Sequence, residues 1–344
     1  MPGYQLYLHV MLVTDLPSTA VKDLAAILFT LLALNGLLLN CLWALILIMG
    51  HRHFSRRPFY IISRHLLVCD LLCISGQVVL AVPLTIMDYH HAWAYKRTNV
   101  FNVFSTFETV GHMSTLTFVF LQSLSQIAPF LPNQKQLIYH LSSSGTVICM
   151  FGWIFNIGLM VAMYMTKCRK DFDLFDFHFY FICTEDRETA EFIWMILNIV
   201  VVVIISSAYF IYIMGFKNTR IRIRALEAKG SLNEDDKREL IELRKRRLII
   251  LQGLLIVTML TLRMTAYYVF APMLKGLDRD VHTVGSVLSN CVEMISSSVH
   301  PCIYIRFNER AHKYFLKIIS SIKPQREIDE TTEFTNVEIS RMDK

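Results

Sequence analysis

Val281–Ile319 reads VHTVGSVLSNCVEMISSSVHPCIYIRFNERAHKYFLKII. From His282 to Ile305 the stretch is mostly apolar and exceeds the ~20 residues that a bilayer crossing needs. Only small residues, Glu293 and the His300-Pro301 pair interrupt it. Pro301 removes a backbone N–H, which distorts a helix and frees a carbonyl. In lipid such a break survives only where neighbouring helices or water satisfy the freed group. This span therefore belongs inside a helix bundle. After Arg306 the pattern changes: Tyr314, Phe315, Ile318 and Ile319 share one side of Asn308–Ile319, flanked by Arg310, His312, Lys313 and Lys317. That pattern predicts an amphipathic helix lying on a membrane surface.

The rest of the chain repeats the apolar run. Counting this one, seven spans follow: Leu24–Met49, Phe59–Val82, Val100–Leu131, Ser143–Met165, Phe192–Phe216, Leu248–Met273 and His282–Ile305. Composition agrees, with 54% hydrophobic residues, 18% charged residues and a mean hydropathy of +0.42 over 344 residues. Soluble domains rarely carry so much apolar residue. The fold class expected is an all-α membrane protein, a seven-transmembrane helix bundle with a short amphipathic eighth helix. Residues 1–23 form an extracellular N-terminus, 24–305 the bundle, 306–319 the surface helix and 320–344 a cytoplasmic tail.

Charge placement orients the bundle. The segments 50–58, 132–142, 217–247 and 306–344 hold three, one, eleven and eight Lys and Arg residues, 23 in all, against nine on the other side. Lys and Arg favour the cytoplasmic side, so the N-terminus lies outside and the C-terminus inside. The net charge of +6 thus reflects membrane orientation rather than nucleic-acid binding. Met1–Asp23 has no basic region followed by a cleavable apolar core, so no signal peptide is expected. The chain has no N-x-S/T sequon, and no C-x-x-C spacing suggests a metal framework. In the longest inner connection, Ser231-Leu232-Asn233-Glu234 fits a capping box, so a helix is expected to start at Ser231 and run into the sixth span. Its basic end is either a solvated extension at the lipid headgroups or a docking surface, and the two are compatible.

His300-Pro301-Cys302-Ile303-Tyr304 resembles the NPxxY element that ends the seventh helix of rhodopsin-like G-protein-coupled receptors, with His for Asn. Asn40 stands where that family has its first-helix Asn. Leu66–Asp70 matches its LxxxD, 30 residues on, and Trp153 lies mid-span as its fourth-helix Trp does. Other motifs are degenerate. Leu124-Ser125-Gln126 replaces the DRY triplet, no Cys lies near Asn99, and the sixth span lacks CWxP. Among receptors, the chain is most similar to the divergent nematode-type chemosensory ones. The resemblance implies a receptor in the plasma membrane that takes an extracellular small molecule and couples to a heterotrimeric G protein.

Charged residues inside spans are costly and mark functional positions by default. Glu108 and His112, four apart, share one face of the third span. Arg263 lies mid-span in the sixth and Glu293 in the seventh. Arg263 with Glu293, or with Glu108, would form a buried ion pair, either structural or part of a ligand-binding switch. Phe104, Phe107, Trp194 and Tyr267 are candidate walls of a small-molecule pocket beside them. By resemblance, Asp70, Ser114 and Ser297 join Asn40 in the buried polar cluster that holds a sodium ion in many receptors. Here His300 joins them, and Pro301 and Tyr304 form the switch element. Because histidine changes charge between pH 5 and 8, His300 stands as a rival to sodium at Asp70. With the DRY Arg absent, G-protein contact falls to Ser125, Arg244, Lys245, Arg246 and Arg247. Cys168 and Cys183 bracket an outer loop in which Phe alternates with polar residues, which predicts a β-hairpin. The third span offers no Cys, so an outer disulfide would join these two.

The chain has no GxSxG, Walker loop, GxGxxG or HExxH, so no enzyme is expected; no Lys lies in the seventh span to carry retinal. The rival functions are a transporter or ligand-gated channel, and a receptor-like protein that no longer couples to G protein. Transporters show related halves or paired broken helices, and neither is visible.

Overall fold

The computed structural model describes residues 17–54, 58–127, 134–183, 187–229, 231, 233–270, 273 and 278–322; side chains 53, 127, 134–143, 183, 187–199, 268 and 322 lie outside the description. Seven long helices account for most of it. They are α1 (Thr19–Met49), α2 (Pro58–Ile86), α3 (Asn99–Ile127), α4 (Gln134–Met165), α5 (Arg187–Glu227), α6 (Glu234–Thr265) and α7 (Arg279–Phe307). A shorter helix, α8 (Glu309–Ile322), follows α7. A two-stranded antiparallel hairpin, β1 (Cys168–Phe172) and β2 (Phe179–Cys183), joins α4 to α5. One more short helix, Tyr89–Lys96, lies between α2 and α3.

The helices close on themselves. α1 packs on α2 and α7, α7 on α6, α6 on α5, and α3 touches α2, α4, α5 and α6. The tightest pairing is α2 with α3, and glycine explains it. A Cβ on Gly76 would meet the Glu108 side chain at 2.6 Å, and one on Gly111 would meet the Cys69 carbonyl oxygen at 2.8 Å. Small residues of this kind let helix backbones approach in membranes. A π-helical turn, Gln77–Ala81, runs into Pro83, whose missing N–H forbids a regular turn there. α7 runs through Pro301 without a break in the helix assignment.

Polarity is inverted relative to a soluble protein. Leu24, Ile27, Leu31, Leu34 and Leu38 line the outside of α1, and Met150, Phe151, Ile154 and Phe155 the outside of α4. Inside lie Asn40, Asp70, Gln77, Glu108, His112, Ser114, Gln122, Arg263, Glu293 and His300. An apolar band of that extent has no place in water; lipid is the solvent that fits it. Among the described residues, five helices are long and apolar enough to cross a membrane: α1, α2, Ser144–Met165 of α4, Val200–Glu227 of α5, and α6. This is consistent with a multi-pass membrane protein. α3 and α7 carry most of the buried polar side chains, which lowers their hydropathy.

The helices overrun the hydropathy limits. The fifth span, set at Phe192–Phe216, belongs to a 41-residue helix, and the sixth begins well before Leu248. No Pro or Gly separates Lys217 from Glu227, so the backbone bonds continue into polar sequence. The capping position also differs from expectation. Asn233, not Ser231, caps α6: its Oδ1 accepts from the Asp236 N–H at 2.7 Å, and Glu234, Asp235 and Asp236 fill the first turn.

The hairpin carries Cys168 opposite Cys183 in register, and Cys168 is disulfide-bonded. Non-reducing peptide mapping is expected to recover these two cysteines cross-linked. A bridge over a loop of ~15 residues contributes about 3 kcal/mol on the chain-entropy account. Free thiols at both positions would rule it out.

Candidate functional site

Helix phase brings Glu108, His112, Arg263 and Glu293 together. α3 presents Glu108 and His112 one turn apart, α6 presents Arg263 and α7 presents Glu293, all buried. Arg263 Nη2 donates to Glu293 Oε1 at 2.9 Å and to His112 Nδ1 at 2.6 Å. Arginine has no acceptor, so His112 Nδ1 must accept, which places its proton on Nε2 and leaves the ring neutral. The 3.2 Å approach of His112 Nδ1 to Glu293 is then a contact between two acceptors that share the guanidinium. Of the two ion pairs the sequence leaves open for Arg263, the structure forms the one with Glu293.

Glu108 pairs instead with Lys170 of β1, which also lies 3.7 Å from Glu293. The Lys170 side chain is 1% exposed. Sequence reasoning counted this lysine only as one of the nine basic residues on the outer side. Strand alternation alone does not single it out, because Asp171 is buried along with Cys168, Lys170 and Phe172 and only Arg169 is exposed. Nearby, Lys96 pairs with Asp171 at 2.8 Å and donates to the Phe172 carbonyl. The cluster holds two carboxylates, two cations and a neutral imidazole. Glu108, His112 and Glu293 bring potential metal-ligand atoms within 4.8 Å of one another. Arg263 and Lys170 already supply the positive charge there.

The aromatic candidates divide. Tyr267 lies 5.9 Å from the His112 ring, at the cluster. Phe104, one turn before Glu108, is partly buried in the core at the hairpin end. Phe107 departs from expectation. It is 40% exposed and borders a lateral cavity of about 670 Å³ with Thr106 and Tyr164, away from Arg263 and Glu293. One residue is a 100° rotation on a helix, so Phe107 cannot share the face of Glu108. The Trp194 side chain lies outside the described residues. Among the described residues, a space of about 10 Å³ lies beside Arg263 and Glu293, walled by His178, Phe179, Tyr267, Ser289 and Asn290.

Deeper in the bundle, His300 Nδ1 and Asp70 Oδ2 are 2.8 Å apart, both buried. Asp70 Oδ1 and Ser114 Oγ have no hydrogen-bond partner. Asn40 donates to the carbonyls of Gly36, at 2.9 Å, and Ser297, at 3.0 Å, tying α1 to α7. Ser297 turns its hydroxyl to the Glu293 carbonyl at 3.4 Å. An orphaned carboxylate oxygen suits a small cation or a water, so Asp70 is the residue that would hold a sodium ion. His300 already takes one carboxylate oxygen.

Toward α8 two tyrosines bind two glutamines of α3. Tyr304, three residues past Pro301, donates to Gln122 Oε1 at 3.0 Å, and Tyr212 of α5 to Gln126 Oε1 at 2.7 Å. Trp43 packs on the Tyr304 ring at 4.9 Å. Neither Gln122 nor Tyr212 stood out in the sequence, and Gln126 did so only as part of the triplet that replaces DRY. Below them opens a cavity of about 580 Å³ lined by Ser125, Gln126, Lys245, Arg246, Arg310 and Lys313. Arg244 pairs with Glu227 at 3.2 Å, Arg246 with Glu242 at 2.5 Å and Lys245 with Glu309 at 3.8 Å, while Arg247 is exposed. The hydrogen bond from Lys313 holds the Glu309 carboxyl below the usual carboxylate range.

No protein-family model matches this chain, and no curated protein matches it.

Proposed function

We propose that the chain is a seven-helix receptor of the plasma membrane, N-terminus outside, that couples a small extracellular ligand to a heterotrimeric G protein. The observation that carries the proposal is one ionic cluster tying the outer hairpin to α3, α6 and α7. The cavity at the α8 end is lined by residues of α3, α6 and the α7–α8 junction. A change at the hairpin therefore has a packed route to that cavity. Such a change is a population shift, and the ligand must bind the two arrangements with different affinity. The α8-end cavity carries Lys245, Arg246, Arg310 and Lys313, which suits a partner with an acidic or C-terminal carboxylate segment. Ser125 cannot supply the charge that the DRY Arg gives other receptors, so Arg244–Arg247 and α8 take that role.

The test is ligand-stimulated nucleotide exchange in membranes, screened against volatile and soluble metabolites. Neutralising Arg244, Lys245, Arg246 and Arg247 together is expected to abolish exchange while surface expression persists. Unchanged exchange would exclude the basic cluster as the coupling surface. A ligand-evoked current that survives a block of G proteins would support the channel alternative instead.

A further inference from the structure

The Lys170 ammonium lies in a closed box. Its Nζ is paired with Glu108 and sits 3.7 Å from Glu293. Three aromatic faces complete the walls, with ring centroids at 5.0 Å for Phe179, 5.8 Å for Tyr267 and 6.0 Å for Phe181. Carboxylates with aromatic faces are how proteins recognise organic cations. The box has no spare room: the adjoining space of about 10 Å³ is at the limit for one water. Nor does the lysine belong to the helix bundle. It arrives on a hairpin that Phe172, Phe177 and Phe179 anchor in the core and that polar contacts position: Ser105 Oγ to the Lys170 carbonyl at 2.6 Å, Lys96 to Asp171 at 2.8 Å, and His282 to Asp176 at 3.0 Å.

We propose that this box is a binding site for the ammonium of a small primary alkyl- or aralkylamine, and that Lys170 is its built-in occupant. The charge count selects the class. With Lys170 seated, Glu108 and Glu293 face two cations, Lys170 and Arg263. With Lys170 withdrawn, one buried carboxylate is left unbalanced, which is strongly destabilising. A monocation restores the balance; a neutral or anionic ligand does not. The aromatic faces accept the carbon next to the nitrogen, as they now accept the lysine stem. The proposal deepens the receptor reading and depends on it only for the signalling consequence.

The experiment vacates the box. The full chain carrying Lys170→Ala is reconstituted in lipid nanodiscs, and its thermal unfolding is followed with n-butylammonium, with n-butanol and with zinc ion. Lys170→Ala is expected to unfold below the unmodified protein. Saturating butylammonium should raise its midpoint by about 5 °C, while butanol leaves it unchanged. Adding Glu108→Gln to Lys170→Ala should abolish the amine response. The proposal is overturned if butylammonium and butanol act alike, if the response survives Glu108→Gln, or if zinc stabilises and the amine does not. The last result would assign Glu108, His112 and Glu293 to a metal. Should Lys170→Ala not yield folded protein, the amine is added during expression. A selective rise in folded yield supports the site, and no rise overturns it. None of these readouts involves a G protein, so a failure of nucleotide exchange would leave the amine result standing, and the reverse.

Discussion

Arg263→Met should destabilise the protein by about 3–5 kcal/mol, the usual cost of leaving one partner of a buried ion pair alone. Glu293 would then face the bundle interior with only the distant edge of the Lys170 ammonium, 3.7 Å away, and the neutral His112. The paired change, Arg263→Met with Glu293→Gln, removes one charge of each sign and leaves Lys170 on Glu108. It should cost far less than the sum of its parts. The coupling energy from this double-mutant cycle is expected to be at least about 2 kcal/mol, since the residues are in direct contact. The measurement is unfolding in nanodiscs for the four forms. If Arg263→Met alone stays within about 0.5 kcal/mol of the unmodified protein, the range expected of uninvolved surface positions, the cluster is not what fixes α6 against α7. The same four forms separate a structural pair from a switch. A lock on the inactive arrangement predicts raised basal nucleotide exchange in the double variant, whereas a purely structural pair predicts no change.

Glu108, His112, Arg263 and Glu293 were legible from sequence for one reason: each is a charged or titratable side chain inside an apolar run, where only burial against a partner makes sense. The spacing of four puts Glu108 and His112 on one face whatever the packing. Asp70 was legible in the same way, whereas His300 and its place beside Asp70 came from the resemblance to receptors. Lys170 was not. A lysine between Arg169 and Asp171 in a loop looks solvated, and nothing local says which side of a hairpin will meet the bundle. That choice is tertiary: Phe172, Phe177 and Phe179 anchor the hairpin in the core at this end, and the strand period then turns Lys170 inward. Phe107 failed for the opposite reason. An aromatic residue beside Glu108 suggested a pocket wall, but neighbours in sequence are not neighbours on a helix face. Gln122 was invisible because an uncharged polar residue near the end of a span is unremarkable alone, and Gln126 stood out only as part of the triplet that replaces DRY. Only Tyr304 and Tyr212, arriving from α7 and α5, give them a role.

On the proposed receptor function, His300→Asn is expected to make agonist affinity dependent on sodium, by on the order of tenfold, within the usual range of coupling between sites. In the unmodified protein His300 Nδ1 takes Asp70 Oδ2 at 2.8 Å, leaving Oδ1 and Ser114 Oγ unpartnered. A protonated imidazole satisfies the carboxylate charge and repels a cation. A neutral imidazole satisfies only one oxygen and leaves the charge open to sodium. Asparagine carries no charge in any state, so Asp70 would then need the ion. The same logic separates His300→Asn from His300→Leu. Leucine offers no hydrogen bond, and Asp70 becomes a buried, unpaired group at a cost of about 3–5 kcal/mol, part of which sodium should restore. Agonist affinity is measured for all three forms in sodium and in a large organic cation. The unmodified protein should respond less to sodium than His300→Asn. Strong sodium dependence in the unmodified protein, unchanged by His300→Asn, would reduce His300 to a packing residue against Tyr304, whose ring it stacks at 6.4 Å.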